Sequence, residues 1–351
     1  MILSDFDYHL PQERIAQTPL ATRDHSRLLC VNRATQEITH HHFYDLPNLL
    51  TENDVLVMNN SKTIPARVFA HKITGGKLEL LFLKCLDQSE NSETWEVLST
   101  PAIKPLQTVI FDQTEISATC TEDHGYTKHL RVDTQSESVL QLLHRIGTMP
   151  TPHYIKEKLQ DQERYQTIYA KFDGSAATPT AGLHFTTELL EKLHQKKIET
   201  IELTLHVGLG TFLPVKVEDI TKHAMHQEWY ELTNEQAKRI NQAKKSGKRI
   251  VAVGTTSVRT LETCANPDGT VRAETGSTSI FIYPPYTFKT VDAMITNFHL
   301  PKSTLLMLIS AFATEKGEFS TFQDSLVGKA YLEAIAQEYR FFSFGDAMLI
   351  E

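Results

Sequence analysis

The sequence has few cysteines and no motif built on them. Its 351 residues include only Cys30, Cys85, Cys120 and Cys264, and no two of these form a Cys-x-x-Cys pair. Zinc ribbons and disulfide-stapled domains need closely spaced cysteines. We therefore expect all four to be reduced packing residues, and the sequence predicts neither a disulfide framework nor a cysteine-based metal site.

Long apolar runs and a secretory leader are missing too. The longest apolar candidate, residues 305–309, is much shorter than the roughly 18 residues that a membrane helix requires. Near the N-terminus the chain carries Asp5 and Asp7, where a signal peptide would carry basic residues. We expect a cytoplasmic protein with no membrane partner.

Positive charge is the minority sign. The formal net charge is −8, from 35 Lys and Arg against 43 Asp and Glu. A general nucleic-acid binder would have a positive long-range field, so this balance argues against that class while allowing a local basic face. One basic cluster is present, and it predicts either a solvated helix face or a phosphate-contacting surface: Lys238, Arg239, Lys244, Lys245, Lys248 and Arg249.

The pattern of apolar and polar residues changes near residue 63. Residues 54–58 predict a buried strand, and residues 64–133 then show short alternating segments separated by turns such as Gly75-Gly76. Closely spaced strands with no helix between them predict a small antiparallel barrel. A short helix is predicted at residues 136–144.

After Pro152 the signals for strands and helices alternate. Helices are predicted at residues 187–197, 234–246, 257–264, 303–314 and 323–337, and buried strands at 198–205 and 249–254. We therefore predict an α/β fold: a mixed-sheet α/β body formed by residues 1–62 and 153–351, with a small antiparallel β-barrel domain inserted at residues 63–152.

Two stretches of the predicted body have the composition of a ligand pocket. Gly174–Thr186 and Thr204–Val215 combine glycines and hydroxyls with one imidazole each, His184 and His206, and carry hardly any charge. Glycine lets a backbone approach a ligand closely. The composition favours a partly enclosed polar pocket for a small molecule. The alternative is a pair of tight turns around buried strands.

A strand-to-helix transition at Gly254 predicts an anion site. Thr255, Thr256 and Ser257 follow the glycine, and Arg259 lies in the first turn of the predicted helix. Free N–H groups at a helix start, hydroxyls and a guanidinium together suit an amino-acid carboxylate or an RNA phosphate. The alternative is simple capping, with Arg259 paired to Glu262 or another acid. We expect Arg259→Ala to stop turnover without disturbing the fold.

The segment from His223 to Tyr230 offers groups for proton transfer. His223 and His226 have the spacing of metal ligands on a helix, but no third ligand follows at a recognisable spacing, so we predict no metal. His226 and Glu228, beside the rings of Trp229 and Tyr230, favour acid–base work. The alternative is a surface turn with aromatics packed beneath it.

A third constellation lies where an apolar strand ends near residue 297. Asn297 and His299 precede Pro301, which begins a new helical segment. Ligands of open α/β sheets bind where strands end and helices begin. A single histidine there is more often structural, but the adjacent Asn297 favours a functional role for both residues.

Taken in order, these blocks resemble one family along residues 3–350. It is the S-adenosylmethionine:tRNA ribosyltransferase-isomerase family of queuosine biosynthesis. The blocks that carry the resemblance are Ile64–Arg67, Gly75–Glu79, Arg164–Thr167, Gly174–Thr186, Thr204–Val215, His223–Tyr230, Gly254–Glu262, Thr296–Thr304 and Tyr339–Met348.

The resemblance implies an α/β body with an inserted antiparallel barrel. It also implies an enzyme that transfers and isomerises the ribosyl moiety of S-adenosylmethionine onto 7-aminomethyl-7-deazaguanine at the wobble position of tRNA. The products would be epoxyqueuosine-tRNA, adenine and methionine. S-adenosylmethionine would be a consumed co-substrate, so no cofactor is expected. The partner would be a tRNA with a GUN anticodon, and we expect a monomer.

This reaction suggests roles for the candidate residues. A base must remove a C5′ proton next to the sulfonium, and an acid must help adenine to leave. We assign acid–base work to His226 and Glu228, with His184 or His299 as the second proton-transfer group. The remaining candidates would bind substrate, the two rings by facing the sulfonium: Arg259, Thr255, Thr256, Ser257, His206, Asn297, Trp229 and Tyr230.

Two other function classes stay open from the sequence. One is an S-adenosylmethionine-dependent methyltransferase, although the glycine-rich first turn of that common fold is missing near the N-terminus. The other is a catalytically silent RNA-binding scaffold built on the barrel. Product analysis separates the three hypotheses.

Overall fold

The computed structural model describes residues 1–134, 137–157, 159–208, 210, 215–314 and 318–351. Within these ranges the α-helices are α1 Leu46–Leu49, α2 Val139–Ile146, α3 Thr187–Gln195, α4 Asn234–Lys245, α5 Thr255–Cys264, α6 Thr304–Ala313 and α7 Leu326–Ala336. The strands are β1 Arg27–Val31, β2 Ile38–His42, β3 Asp54–Asn59, β4 Ser61–Thr63, β5 Arg67–Lys72, β6 Lys77–Gln88, β7 Ser92–Thr100, β8 Thr108–Phe111, β9 Ser117–His124, β10 Thr127–Asp133, β11 Phe172–Ser175, β12 Glu199–Leu205, β13 Glu228–Leu232, β14 Arg249–Val253, β15 Glu274–Thr278, β16 Ala293–Asn297 and β17 Ala347–Ile350.

One mixed sheet organises the body. Its order, among the described residues, is β15-β13-β12-β3-β14-β16-β17-β1-β2. Strands β12, β3, β14 and β16 run parallel, so their carboxyl ends meet at one edge. Strand β17 is antiparallel to β16 and parallel to β1. The central strands β3 and β16 are buried along their whole length, which explains their almost continuous apolar sequence.

Strands β5 to β10 close into a barrel in the order β10-β7-β6-β5-β8-β9. Buried and more exposed residues alternate along β7, as expected of a strand with one face turned to the barrel interior. Helix α2 packs on this domain, and its residues Val139, Leu142 and Leu143 belong to the same apolar core. The predicted fold class, an α/β body with an antiparallel barrel, is confirmed.

The chain enters and leaves the barrel at neighbouring points. Arg67 and Thr148 exchange two backbone N–H···O hydrogen bonds, of 3.2 and 2.8 Å. The buried barrel core takes its described residues from positions 64–143, with Ala176 as its contribution from elsewhere. The two larger core clusters of the body contain no described residue from the barrel strands. Each part therefore has its own apolar core.

Several boundaries differ from those that the sequence predicts. Helix α5 begins at Thr255 rather than Ser257, because Gly254, with φ of +85°, already turns the chain out of β14. Helix α7 begins at Leu326 rather than residue 323, because the Ser325 hydroxyl accepts the Gly328 N–H as an N-cap. The described part of the helix predicted at 136–144 begins at Val139 and ends at Ile146, while Ser136 lies outside the described residues.

Candidate active site

A cavity of about 580 Å³ opens at the carboxyl ends of β14 and β16. This is where ligands bind in open α/β sheets, and its volume is within the range of pockets for small molecules. Residues that follow β12, such as Val207 and Gly210, complete one wall. Among the described lining residues, Pro152 is the one that comes from the predicted insertion, residues 63–152.

Both sequence stretches with pocket-like composition reach this cavity. The first contributes residues 177–181, and the second contributes Val207, Gly210 and Val215. Leu209 and residues 211–214 of the second stretch lie outside the described residues.

The start of helix α5 lines the cavity through Thr255 and Thr256. The Thr256 hydroxyl is buried and has no hydrogen-bond partner among the described residues. The Ser257 hydroxyl instead donates to the Val253 carbonyl oxygen at 2.7 Å, inside the helix turn. Of the three predicted hydroxyls, Thr255 and Thr256 therefore face the cavity and Ser257 is used within the fold.

Arg259 and Glu228 form a buried ion pair in the cavity wall. Arg259 is 6% exposed and Glu228 is 5% exposed. The second carboxylate oxygen of Glu228 accepts the Gly208 N–H at 3.0 Å. The Nε and Nη2 atoms of Arg259 have no hydrogen-bond partner among the described residues. Since unmatched buried donors are costly, the guanidinium is ready to bind an anion.

Glu262, the other acid considered for Arg259, is used elsewhere. Its carboxylate accepts backbone N–H groups of residues 289–291 and the Tyr286 hydroxyl. It thereby anchors the loop before β16. The capping alternative, with Arg259 paired to an acid, is thus partly correct, but the acid is Glu228 and the pair lines a cavity.

Asn297 lines the cavity at the end of β16, and its amide is fixed in one orientation. Its Nδ2 donates to His184 Nε2 at 3.0 Å, and its Oδ1 accepts the Thr180 hydroxyl at 3.0 Å. Because His184 Nε2 is an acceptor, the ring proton resides on Nδ1 and is donated to Ser26 Oγ at 2.7 Å. His184 therefore lies behind Asn297 and orients it.

Burial keeps His184 neutral. Desolvation, with smaller effects from the positive Arg23 and Arg340, lowers the pKa of His184 to about 3. Its ring also stacks on Phe43, with centroids 5.0 Å apart. Such an imidazole is suited to holding Asn297 in place and is a weak base near neutral pH.

His299 does line the cavity, close to Asn297. Its Nε2 lies 2.8 Å from the Thr296 hydroxyl, and its backbone N–H donates to the Tyr331 hydroxyl at 2.8 Å. Burial lowers the pKa of His299 to about 3, so the ring is neutral at physiological pH. A neutral ring can form hydrogen bonds with a substrate without adding charge.

His226 is half-buried in the cavity wall, beside Gly210. His223 lines the same region, and its ring contacts Phe281 edge-on, with centroids 5.4 Å apart. Desolvation, followed by the nearby His226, lowers the pKa of His223.

Besides Ser257, three predicted substrate-binding residues are not among the described lining residues: His206, Trp229 and Tyr230. His206 stacks on Trp229, with centroids 4.9 Å apart, and its Nδ1 lies 2.7 Å from Ser61 Oγ. Burial lowers the pKa of His206 to about 4. Tyr230 is buried in the apolar core, and desolvation raises its pKa to about 12. Successive side chains of strand β13 point to opposite faces, so Trp229 points away from the face of Glu228. Tyr230 shares the face of Glu228 but packs in the apolar core.

The cavity also uses residues that sequence reasoning did not single out. Tyr154 and Phe342 pack with ring centroids 4.8 Å apart, and the hydroxyls of Tyr154 and Ser343 lie 2.7 Å apart. Lys302 lines the cavity with φ of +58° and forms an ion pair of 2.8 Å with Asp7. The unusual sequence block at residues 339–348 was the available signal for Phe342 and Ser343.

No helix among the described residues has the length and apolar character to cross a membrane.

Comparisons with known proteins find relatives of one kind, and the matches extend along almost the whole chain. A family model described as "Queuosine biosynthesis protein" matches residues 3–350. The S-adenosylmethionine:tRNA ribosyltransferase-isomerase of Symbiobacterium thermophilum is 52% identical over 354 residues, covering 100% of both chains. The enzyme of the same name from Desulfitobacterium hafniense is 50% identical over 353 residues, again with 100% coverage of both. The crystal structure of S-adenosylmethionine tRNA ribosyltransferase from Thermotoga maritima is 38% identical, covers 99% of this chain and 100% of its own, and superposes with a TM-score of 0.55.

Proposed function

The chain belongs to the S-adenosylmethionine:tRNA ribosyltransferase-isomerase family of queuosine biosynthesis, and we propose that its cavity binds S-adenosylmethionine. The reaction transfers and isomerises the ribosyl moiety of S-adenosylmethionine onto 7-aminomethyl-7-deazaguanine in tRNA. Epoxyqueuosine-tRNA, adenine and methionine are the products. S-adenosylmethionine is consumed, and no cofactor enters this scheme.

The buried guanidinium of Arg259 is the observation that carries this assignment. Its Nε and Nη2 atoms have no partner among the described residues, and Arg259 stands in the cavity wall near the start of α5. The methionine part of S-adenosylmethionine ends in a carboxylate, which suits paired guanidinium donors and the positive end of a helix. Each charge-assisted hydrogen bond contributes about 1.5–3 kcal/mol.

Glu228 acts in this scheme as a positioning residue for Arg259. One carboxylate oxygen contacts the guanidinium and the other accepts the Gly208 N–H, so both are occupied. A carboxylate held in this way is poorly placed to take a proton from substrate. This differs from the acid–base role that the sequence suggested for Glu228.

His226 is the favoured proton-transfer group. The sulfonium of S-adenosylmethionine acidifies the adjacent C5′ position, so a base in the cavity wall is required. His184 and His299 have pKa values near 3, because burial disfavours their charged forms, and they are weak bases. His226 is only half-buried in the cavity wall. Asn297, held by His184, and neutral His299 then supply hydrogen bonds that orient substrate.

The tRNA is assigned mainly to the barrel domain. Among the described lining residues, Pro152, at the boundary, is the one from the inserted domain, and the others belong to the body, residues 1–62 and 153–351, which supports placing the S-adenosylmethionine site in the body. The inserted domain, residues 63–152, would position the anticodon loop, as small antiparallel barrels do for single-stranded nucleic acid. A tRNA with a GUN anticodon, a monomeric state and a cytoplasmic location stay predictions.

The decisive test is product analysis. The protein is incubated with S-adenosylmethionine and a tRNA that carries 7-aminomethyl-7-deazaguanine, and the modified base is identified by mass spectrometry. We expect epoxyqueuosine, with release of adenine and methionine, and loss of all three signals in Arg259→Lys. Formation of S-adenosylhomocysteine would indicate a methyltransferase instead. Tight tRNA binding with no consumption of S-adenosylmethionine would indicate a silent scaffold.

A further inference from the structure

Outside the cavity, the hairpin of β9 and β10 brings three metal-ligating side chains together. Glu122 and His124 are two residues apart on β9, so their side chains lie on the same face. His129 on β10 is the cross-strand partner of Glu122. The ligand atoms of these three residues all lie within 4.8 Å of one another.

Both imidazoles approach the same carboxylate oxygen. Glu122 Oε2 lies 2.9 Å from His124 Nε2 and 3.2 Å from His129 Nδ1. Adjacent ligands on a tetrahedral zinc ion are about 3.3 Å apart, given zinc–ligand distances of about 2.0–2.1 Å. The hairpin therefore already holds these atoms near the required spacing. Zinc binding would need small side-chain movements but no change in the backbone conformation.

We propose that Glu122, His124 and His129 bind a divalent transition-metal ion, with zinc the best match. Two imidazoles and one carboxylate form a typical zinc ligand set, whereas calcium and magnesium prefer oxygen ligands. The side chains of Glu122, His124 and His129 are 59%, 50% and 23% exposed, so solvent can supply the remaining ligand. This site is separate from His223 and His226 in the cavity wall.

The position of the site suggests a structural role. The turn between the strands contains Gly125, with φ of +79°, and Tyr126. Tyr126 contacts the Lys216 ammonium of the body, 4.5 Å from the ring centroid. Lys216 directly follows Val215, a lining residue of the cavity. An ion that joins β9 to β10 would fix the hairpin that makes this contact between barrel and body.

The test is zinc titration of the chelator-treated full-length protein by calorimetry. We expect one saturable zinc site per chain, and a weakening of at least about tenfold in His124→Ala, His129→Ala or Glu122→Gln, because each removes a ligand. Substitution with cobalt should give visible absorption bands that disappear in the same variants. Magnesium should show no comparable binding.

Two control variants locate the site. His71→Ala removes another barrel histidine that pairs with a single carboxylate, Asp112, and zinc binding should be unchanged. His223→Ala tests the cavity histidines and should also leave zinc binding unchanged. Circular dichroism checks that each variant is folded. Absence of saturable zinc binding in the wild type, or equal binding in His124→Ala and His129→Ala, would overturn the proposal, as would loss confined to His223→Ala.

Discussion

Replacing Arg259 should affect both stability and substrate binding, and the structure allows the two effects to be separated. In Arg259→Ala the carboxylate of Glu228 remains, 5% exposed, with the Gly208 N–H and no counter-charge. Removing one partner of a buried ion pair costs about 3–5 kcal/mol of folding free energy. The sequence predicted that this variant would keep its fold undisturbed. The structure predicts instead that it is destabilised.

A second variant removes both charges together. In Arg259→Met/Glu228→Gln no buried charge is left unpaired, and such replacements of buried pairs are often close to neutral for stability. The double variant should thus recover most of the lost free energy of unfolding. It still lacks the guanidinium, so the affinity for S-adenosylmethionine should fall by about 10- to 150-fold for each charge-assisted hydrogen bond of 1.5–3 kcal/mol.

Urea unfolding and calorimetry measure the two quantities on the same preparations. Arg259→Lys is the matched control, because it keeps a positive charge near Glu228 and loses the forked donors. Wild-type affinity for S-adenosylmethionine in a folded double variant would refute the role of Arg259 as the carboxylate site. Wild-type stability of Arg259→Ala would refute the energetic role of the pair.

Three further predictions follow from the fold. Burial lowers the pKa of His184 and His299 from 6.5 to about 3, so the unfolded chain takes up protons between these values and the folded chain does not. Lowering the pH from 7.5 to 5.0 should therefore cost about 2 kcal/mol of unfolding free energy per histidine, and urea unfolding of His184→Gln should show a smaller loss. Prolonged chelation should leave ribosyl transfer unchanged; loss of activity that zinc restores equally in the wild type and in His124→Ala would place a metal at the cavity histidines. Replacing residues 67–148 with a short Gly/Ser linker should preserve S-adenosylmethionine binding by calorimetry and abolish tRNA modification, and the opposite pattern would reverse the assignment of the domains.

Local patterns explain why much of the fold was predictable. The observed bounds of strands β3 and β14 each differ from the predicted bounds by one residue. Continuous apolar runs and alternating segments are properties of neighbouring residues, so they can be read without tertiary contacts. The Thr255–Arg259 and Asn297 blocks were found for the same reason, since strand-to-helix transitions are also local.

The partners of the site residues could not be predicted in this way. Glu262 is three residues from Arg259 on the same helix, yet Glu228 on a different strand forms the pair. The backbone N–H groups of residues 289–291 occupy Glu262, and only the tertiary fold brings that loop to it. His184 and Asn297 are likewise joined across the body.

Strand register explains the remaining differences. Glu228 and Trp229 are adjacent in sequence, but the pleat of β13 directs one to the cavity and the other to His206. The grouping of Glu122, His124 and His129 depends on which residues face each other across a hairpin. Their spacing along the chain matches no common zinc motif, so the sequence alone predicted no metal.

The place of β17 in the sheet has a consequence for synthesis. Strand β17 lies between β16 and β1, and its residues are almost completely buried. The ribosome makes β1 and β2 first and β17 after every other strand of the sheet. Until β17 emerges, β16 and β1 each present an unpaired edge to solvent, and such edges invite pairing with other chains. The nascent protein should therefore depend on chaperone protection until late in translation, even though its barrel can close much earlier.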